Sequence, residues 1–333
     1  MKDPNKTNEK PNLETDDQVR SSWDRRDFLK CVGAWAGTAV VLSMAGGVLT
    51  SCKIEDKLPG TLSFVQISDT HIGFNKEPNA NVADTLQKLV DKINALPQRP
   101  PFVLHTGDLT HLSKPEQFDT LQEILKGIKT DQIFYVPGEH DTFSDQGAEF
   151  LKRFGKGTQG QGWQSFDKNG THYIGLNNVV AANSPTPGKF NNGGTEGLGA
   201  LGKDQLDWLQ KDVANLSAST PIVVFTHIPL WAVYPQWGWG TEDSEQALGF
   251  LKRFGSVTVL NGHIHQVMQK VEGNITFHTA RSTAYPQPAP GSAPSPGPVK
   301  DLPADRLPAS VGITQIRYIE TERSLAVVDT ALG

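Results

Sequence analysis

The sequence predicts an α/β domain in which helices cover β-sheets, and two observations carry that expectation. From Thr61 onward, short runs rich in Val, Ile, Phe or Tyr alternate with segments of helical apolar spacing. Strand–helix alternation gives every sheet face a helix to bury it. The second observation is where the polar clusters fall: directly after five of the β-type runs, where open α/β sheets build their sites.

In chain order, residues 1–30 are polar and hold no apolar periodicity. Asp24-Arg25-Arg26-Asp27-Phe28-Leu29-Lys30 then leads into an uncharged stretch from Cys31 to Ser51. A charged segment before a short apolar run reads as a targeting sequence. The arginine pair before Phe-Leu-Lys resembles the twin-arginine signal, which exports proteins already folded. The run is long enough to span a bilayer. Gly33, Gly37, Gly46 and Gly47 with four Ser/Thr make it weakly hydrophobic, which suits an export signal better than an anchor. It ends in Leu49-Thr50-Ser51-Cys52, similar to a bacterial lipobox with Cys52 as the lipidated residue. The expectation is removal of residues 1–51, a lipid anchor and linker over 52–60, and a periplasmic or outer-face, membrane-anchored lipoprotein.

Strands are predicted over Thr61–Ser68, Pro101–Thr106, Gln132–Val136, Thr171–Asn177, Pro221–Thr226 and Val257–Asn261, each bounded by Gly, Pro or Asp. Helices are predicted where apolar residues recur every three or four positions: Val82, Leu86, Leu89, Val90, Ile93 and Leu96; Phe118, Leu121, Leu125 and Ile128; Leu206, Leu209, Val213 and Leu216. Gly312–Asp329 reads as a hairpin, with Ile313–Ile319 and Leu325–Val328 flanking a polar turn. Asn183–Gly202, rich in Gly, Asn and Pro, is predicted to be a long surface loop. Tyr285–Pro308 holds eight prolines in 24 residues, which excludes a helix or a central strand. No internal repeat is visible.

At 333 residues, with 37% hydrophobic and 20% charged residues, the chain can bury a sizeable core. Its formal net charge of −5 argues against binding nucleic acid or an anionic membrane by bulk electrostatics. Loss of residues 1–51 would remove seven basic and seven acidic residues and leave that charge unchanged. Cysteine occurs only at Cys31 and Cys52, so the domain has neither a disulfide framework nor a thiolate metal site. Any metal there is held by His, Asp, Glu or Asn.

The polar clusters are Asp69-Thr70-His71, Gly107-Asp108, Gly138-Glu139-His140-Asp141, His227 and Gly262-His263-Ile264-His265. In an extended chain, i, i+2 spacing puts both side chains on one face, so Asp69/His71 and His263/His265 are each expected to point inward together. Imidazole and carboxylate donors without sulfur suit Zn, Fe or Mn.

In this order, the chain resembles over residues 61–280 the calcineurin-like metallophosphoesterase superfamily, whose ligand set runs D-x-H, G-D, G-N-H-[DE], H and G-H-x-H. The resemblance implies two β-sheets packed face to face with helices outside. It implies one metal on Asp69, His71 and His265, a second on Glu139, His227 and His263, and Asp108 bridging both. It further implies phosphate-ester hydrolysis by a metal-bridging hydroxide, His140 as general acid near the leaving group, and Asp141 steering His140. One departure stands out: the family's Asn is Glu139 here, which adds a negative charge and removes an amide donor. Gln66–His71 and Gly262–Gln266, with Ser282-Thr283, resemble more narrowly the bacterial class III cyclic-nucleotide phosphodiesterases.

The function expected is thus an exported binuclear phosphoesterase favouring diesters, with a small phosphate ester as substrate. The alternatives are a phosphomonoesterase or nucleotidase on the same site, or a non-catalytic metal-binding scaffold. His105 and His111 are candidates to line the site, and His172 and His278 read as structural. Arg281 could hold a phosphate oxygen or a surface ion pair. Trp231, Tyr234, Trp237 and Trp239 crowd the loop after His227, either to stack on substrate or to pack the loop itself.

Overall fold

The computed structural model describes residues 38–42, 60–179, 198–319 and 324–333. Two six-stranded mixed sheets pack face to face and carry helices on their outer sides. The first runs β1 (Thr38–Leu42), β12 (Ser324–Ala331), β11 (Gly312–Ile319), β2 (Thr61–Ile67), β3 (Val103–Thr106) and β4 (Ile133–Val136). The second runs β5 (Gln164–Lys168), β6 (Thr171–Gly175), β7 (Ile222–Phe225), β8 (Val257–Asn261), β10 (Ile275–Thr279) and β9 (Met268–Glu272). β2, β3 and β4 are parallel, as are β6, β7, β8 and β10; the remaining neighbours are antiparallel.

Period-two alternation decides which residues face which layer. On β2, Val65 and Ile67 pack toward helices α1 (Val82–Asn94) and α2 (Pro115–Leu125), while Phe64 turns between the sheets. On β7, Ile222 and Val224 meet α4 (Gly202–Ala214) and α5 (Ser244–Leu251), and Val223 and Phe225 turn inward. Phe64, Phe102, Tyr173, Phe225 and Leu260 fill the inter-sheet layer, with Phe64 stacked on Phe102 at 4.8 Å. α1 begins where the Asn81 side chain accepts from the Asp84 amide at 3.1 Å, an N-cap worth about 1 kcal/mol.

The predicted strands and helices all form, most with ends shifted by one to four residues, and Val257–Asn261 at the expected bounds. Several elements escape the sequence reading: the buried strand β10, the edge strands β5 and β9, and the short helices α3 (Ala148–Phe154) and α5. The hairpin expected over Gly312–Asp329 is β11–β12. Residues 183–197 of the predicted loop lie outside the described residues. The Pro-rich segment contains no strand, yet its end departs from expectation: α6 (Leu307–Ser310) is helical with Pro308 in its first turn. There a missing N–H costs nothing and a fixed φ suits the helix. β1 falls inside the stretch expected to be an export signal; the rest of residues 1–51, and 52–59, lie outside the described residues. Among the described residues no helix is long and apolar enough to cross a membrane.

Candidate metal centre

Five parallel strands from both sheets end at one place, and their next residues form the site. β2 delivers Asp69 and His71, β3 Asp108, β4 Glu139 and His140, β7 His227, and β8 His263 and His265. The loops are bonded to each other: Asp69 N donates to the Gly107 carbonyl at 3.0 Å, His71 N to Asp108 O at 2.9 Å, and Gly262 N to His227 O at 3.1 Å. Gln66 Nε2 ties the two sheets beneath the site, donating to Thr106 Oγ1 at 3.0 Å and to the Asn261 carbonyl at 3.1 Å.

The pleat does not aim these side chains, contrary to the i, i+2 argument. Asp69, His71, Asp108, His263 and His265 all lie beyond their strands with φ between 42° and 71°. Left-handed backbone costs a non-glycine residue about 1–3 kcal/mol and concentrates at functional sites. The motif glycines make room. A methyl group on Gly107 would strike the His227 ring, on Gly138 the Asp108 carboxylate, and on Gly262 Ser68 and Asp69.

Seven residues resolve into two sets around one carboxylate. Asp69, His71, Asp108 and His265 bring their donor atoms within 4.8 Å of one another, and so do Glu139, His227 and His263. Asp108 Oδ2 lies 3.4 Å from His71 Nε2 and 3.4 Å from His227 Nε2, touching both sets through one oxygen. Among the described residues, the other two groups close enough to share an ion, His71 with His111 and His140 and Asp108 with Glu139 and His140, overlap these sets.

Protonation can be read from the partners. A carbonyl oxygen only accepts, so His227 Nδ1 carries the proton it donates to Thr106 O at 2.7 Å, and His265 Nδ1 donates to Tyr285 O at 2.6 Å. With Nδ1 so committed, each ring turns Nε2 inward as the atom left to ligate. His227 Nε2 stands 2.9 Å from Glu139 Oε2, yet neither atom has a hydrogen-bond partner, and both His263 nitrogens are also unsatisfied. His265 Nε2 faces His71 Nε2 at 3.2 Å and Asp69 Oδ1 at 3.4 Å. Lone pairs this close repel unless a cation lies among them. The donor set therefore fits metal ions, and the Thr106 and Tyr285 carbonyls hold His227 and His265 in the tautomers that ligate.

The electrostatics agree. Burial, then the neighbouring His140, His265 and His111, pushes His71 well below its usual range, so it is neutral. Burial opposes ionisation of Glu139, but His263 and His227 hold it well below the carboxylate range. His227 is raised despite burial by Asp108 and Glu139, a measure of the negative field that would receive a cation.

A supporting layer surrounds these residues, and His111, a candidate from the sequence, is part of it and lines the cleft. Ser282 Oγ and Thr283 hold the Asp69 and Ser68 carbonyls at 3.0 and 2.9 Å. His111 touches two site residues: its Nδ1 lies 3.4 Å from His71 Nδ1, and its carbonyl accepts from His140 Nδ1 at 2.8 Å. Burial and His140 lower the His111 pKa to about 4, so the ring is neutral. Backbone carbonyls at Thr106, His111 and Tyr285 orient three of the imidazoles, and a carbonyl leaves no mark in sequence.

Asp141 requires a correction. It was expected to steer His140, but its carboxylate accepts from Leu109 N at 2.9 Å, Thr110 N at 2.8 Å, Thr110 Oγ1 at 2.9 Å and Gly138 N at 3.0 Å. Those four donors use both oxygens, and Asp141 fastens the Asp108 loop to the Glu139 turn. His140 is oriented instead by the His111 carbonyl.

The remaining candidates sort plainly. His105 is fully buried against Thr70, its pKa lowered by burial to about 3, and it does not line the site. His172 bridges Asp167 and Asp212 at 2.8 and 2.9 Å, and His278 meets Asp329 at 3.1 Å, both structural. Arg281 donates to the Ala309 carbonyl at 2.9 Å. A cleft of about 500 Å³ opens over the cluster, walled by Phe143, Trp237, Tyr285, Pro296, Pro298 and Lys300 among others. The tryptophans divide: Trp231 packs on Phe277, while Trp237 and the largely buried Trp239 both line the cleft.

Residues 62–267 match the sequence model described as calcineurin-like phosphoesterase. A 3',5'-cyclic-nucleotide phosphodiesterase of Nostoc sp. is 25% identical over 239 residues, 70% of this chain and 81% of that one. A mouse serine/threonine-protein phosphatase, CPPED1, is 28% identical over 203 residues, 54% of this chain and 60% of that one. In structure, a dimetal phosphatase from Danio rerio superposes with a TM-score of 0.58 at 14% identity, covering 82% of this chain and 97% of that chain.

Proposed function

Because the chain belongs to the calcineurin-like phosphoesterase family and is a metal-dependent phosphoester hydrolase, we propose that it works with two metal ions and favours diesters. One ion would be held by Asp69, His71 and His265, the other by Glu139, His227 and His263, with Asp108 serving both. The observation that carries this is the single Asp108 oxygen placed 3.4 Å from an imidazole of each set. Imidazole with carboxylate suits Mn, Fe or Zn. When bound, such ions supply an activated water and neutralise charge on the phosphoryl oxygens.

The chain's own residues do the rest. His140, whose Nδ1 proton is committed to the His111 carbonyl, uses its other nitrogen to protonate the departing oxygen. Glu139 sets the charge. With Asp69 and Asp108 it places three carboxylates at the centre where Asn would leave two. A phosphomonoester is close to dianionic at neutral pH, since its second pKa is about 6, whereas a diester carries one charge. The extra carboxylate disfavours the dianion.

The test is metal analysis of purified protein coupled to hydrolysis of matched mono- and diesters. The expected result is activity on both that depends on bound metal, with the diester preferred. Glu139→Asn should raise the monoester-to-diester ratio about tenfold, since one charge at roughly 5 Å and an effective dielectric of about 20 is worth more than that factor in full. A flat or falling ratio with metal content unchanged would remove this account of Glu139. No hydrolysis by metal-loaded protein would remove the diesterase itself. The mouse protein-phosphatase relative favours the second reading, a monoesterase on the same residues.

Export belongs to the same proposal. Arg25-Arg26 supports a twin-arginine route, which would let the metals be loaded before transport, and Cys52 supports a lipid anchor on the outer face. Removal of residues 1–51 would also take away β1 and leave β12 as the sheet edge. Lys at both Arg25 and Arg26 should strand precursor in the cytoplasm, and Cys52→Ala should abolish lipid labelling. Normal export of the double-Lys chain, or a mature protein without lipid, defeats the respective assignment.

A further inference from the structure

Among the described residues, four large apolar side chains are exposed: Leu112, Phe143, Val271 and Tyr318. Single exposed hydrophobics are ordinary. Two of these four are not scattered: Leu112, 43% exposed, and Phe143, 47% exposed, both line the cleft over the metal centre. The Phe143 ring centroid lies 4.7 Å from that of His140, and the His140 ring is itself stacked on His111 at 4.9 Å. An apolar shelf thus adjoins the imidazole on its open side. Elsewhere the cleft presents Trp237, Pro296 and Pro298, with Lys76 and Lys300 as its cations.

We propose that Phe143 and Leu112 determine specificity for the leaving group, and that the alcohol released carries an aromatic or alkyl substituent rather than a polar one. This rests on the reading of His140 as the general acid. An oxygen within hydrogen-bond reach of the His140 ring brings its substituent over the residues beside that ring, and the Phe143 face is the nearest apolar surface. Covering a half-exposed ring returns the transfer free energy of the area removed from water, and an aromatic substituent adds favourable ring–ring geometry. A glycerol-like or sugar alcohol would have to strip its hydroxyls against the same shelf and find no partner there.

The experiment uses methyl 4-alkylphenyl phosphates with hydrogen, ethyl or butyl at the para position, in which the acidity of the phenol hardly changes. With metal-loaded wild type, kcat/KM should rise roughly 2–4-fold per added methylene. Phe143→Ala should flatten that rise, and Leu112→Ala should reduce it; both positions are exposed enough for the fold to tolerate truncation. The free 4-alkylphenols, which are the released products, should bind wild type more tightly as the chain lengthens and bind Phe143→Ala without that trend. A flat wild-type series overturns the proposal. So does an unchanged slope in Phe143→Ala, or a slope that appears only when the alkyl group is moved to the retained ester arm. If every ester is inert while phenol binding still grades with chain length and depends on Phe143, the hydrolase reading falls and the apolar shelf stands.

Discussion

Asp108→Ala should lose both metal ions, or nearly so, and reduce phosphoester hydrolysis to background. One oxygen of this carboxylate stands 3.4 Å from His71 of one ligand set and 3.4 Å from His227 of the other. Its second oxygen accepts the His140 amide at 2.9 Å, so the carboxylate also fixes the turn that carries Glu139. Each set keeps three other side chains, but without Asp108 two metal charges would share a pocket with no carboxylate between them. Elemental analysis of the purified variant beside wild type measures the loss directly. The fold itself should survive, because the three clusters that hold the sheets and helices together do not include this residue, and far-ultraviolet circular dichroism checks that. A variant retaining its full metal complement would defeat the bridging assignment.

His140→Ala should keep its metals and lose about 10²–10⁴ in rate, the usual contribution of a positioned acid. The ring lies at the cleft wall and is set by the His111 carbonyl at 2.8 Å, not by either ligand set. The loss should shrink for esters of acidic phenols, which depart without a proton, and should be largest for esters of ordinary alcohols. A series graded by leaving-group acidity therefore reads the role rather than mere importance. An equal loss across the series would show that His140 positions substrate or metal and does not donate the proton. The Asp141 assignment makes a contrast: its carboxylate binds four loop donors, so its removal should lower thermal stability and metal content together.

Much of this was legible in the residues. Val82, Leu86, Leu89, Val90 and Ile93 announce α1 because a helix that covers a sheet must repeat its apolar face every 3.6 residues, and those residues are buried. β5 and β9 were silent because, unlike the apolar edge strand β4, they carry mostly polar residues; Met268–Glu272 is mostly exposed and two of its five residues are charged. The seven ligand-type residues and their order were visible because chemistry permits few side-chain types at a metal, and the strand ends say where they gather.

What only the tertiary structure decided was aim and partnership. Sequence placed Asp69 and His71 two residues apart in an extended chain; the fold holds both in left-handed backbone past the strand end. The family resemblance implied Asp141 as the companion of His140; the fold gave that part to the carbonyl of His111, 29 positions upstream. Sequence left Phe143 an unremarked loop residue; the fold set its ring 4.7 Å from His140. The physical reason is the same each time. Residue type is fixed by the chemistry a position must supply, and a single chain can display it. Orientation, tautomer and neighbourhood are fixed by backbone groups that every residue shares, and these acquire identity only when distant loops close on one another.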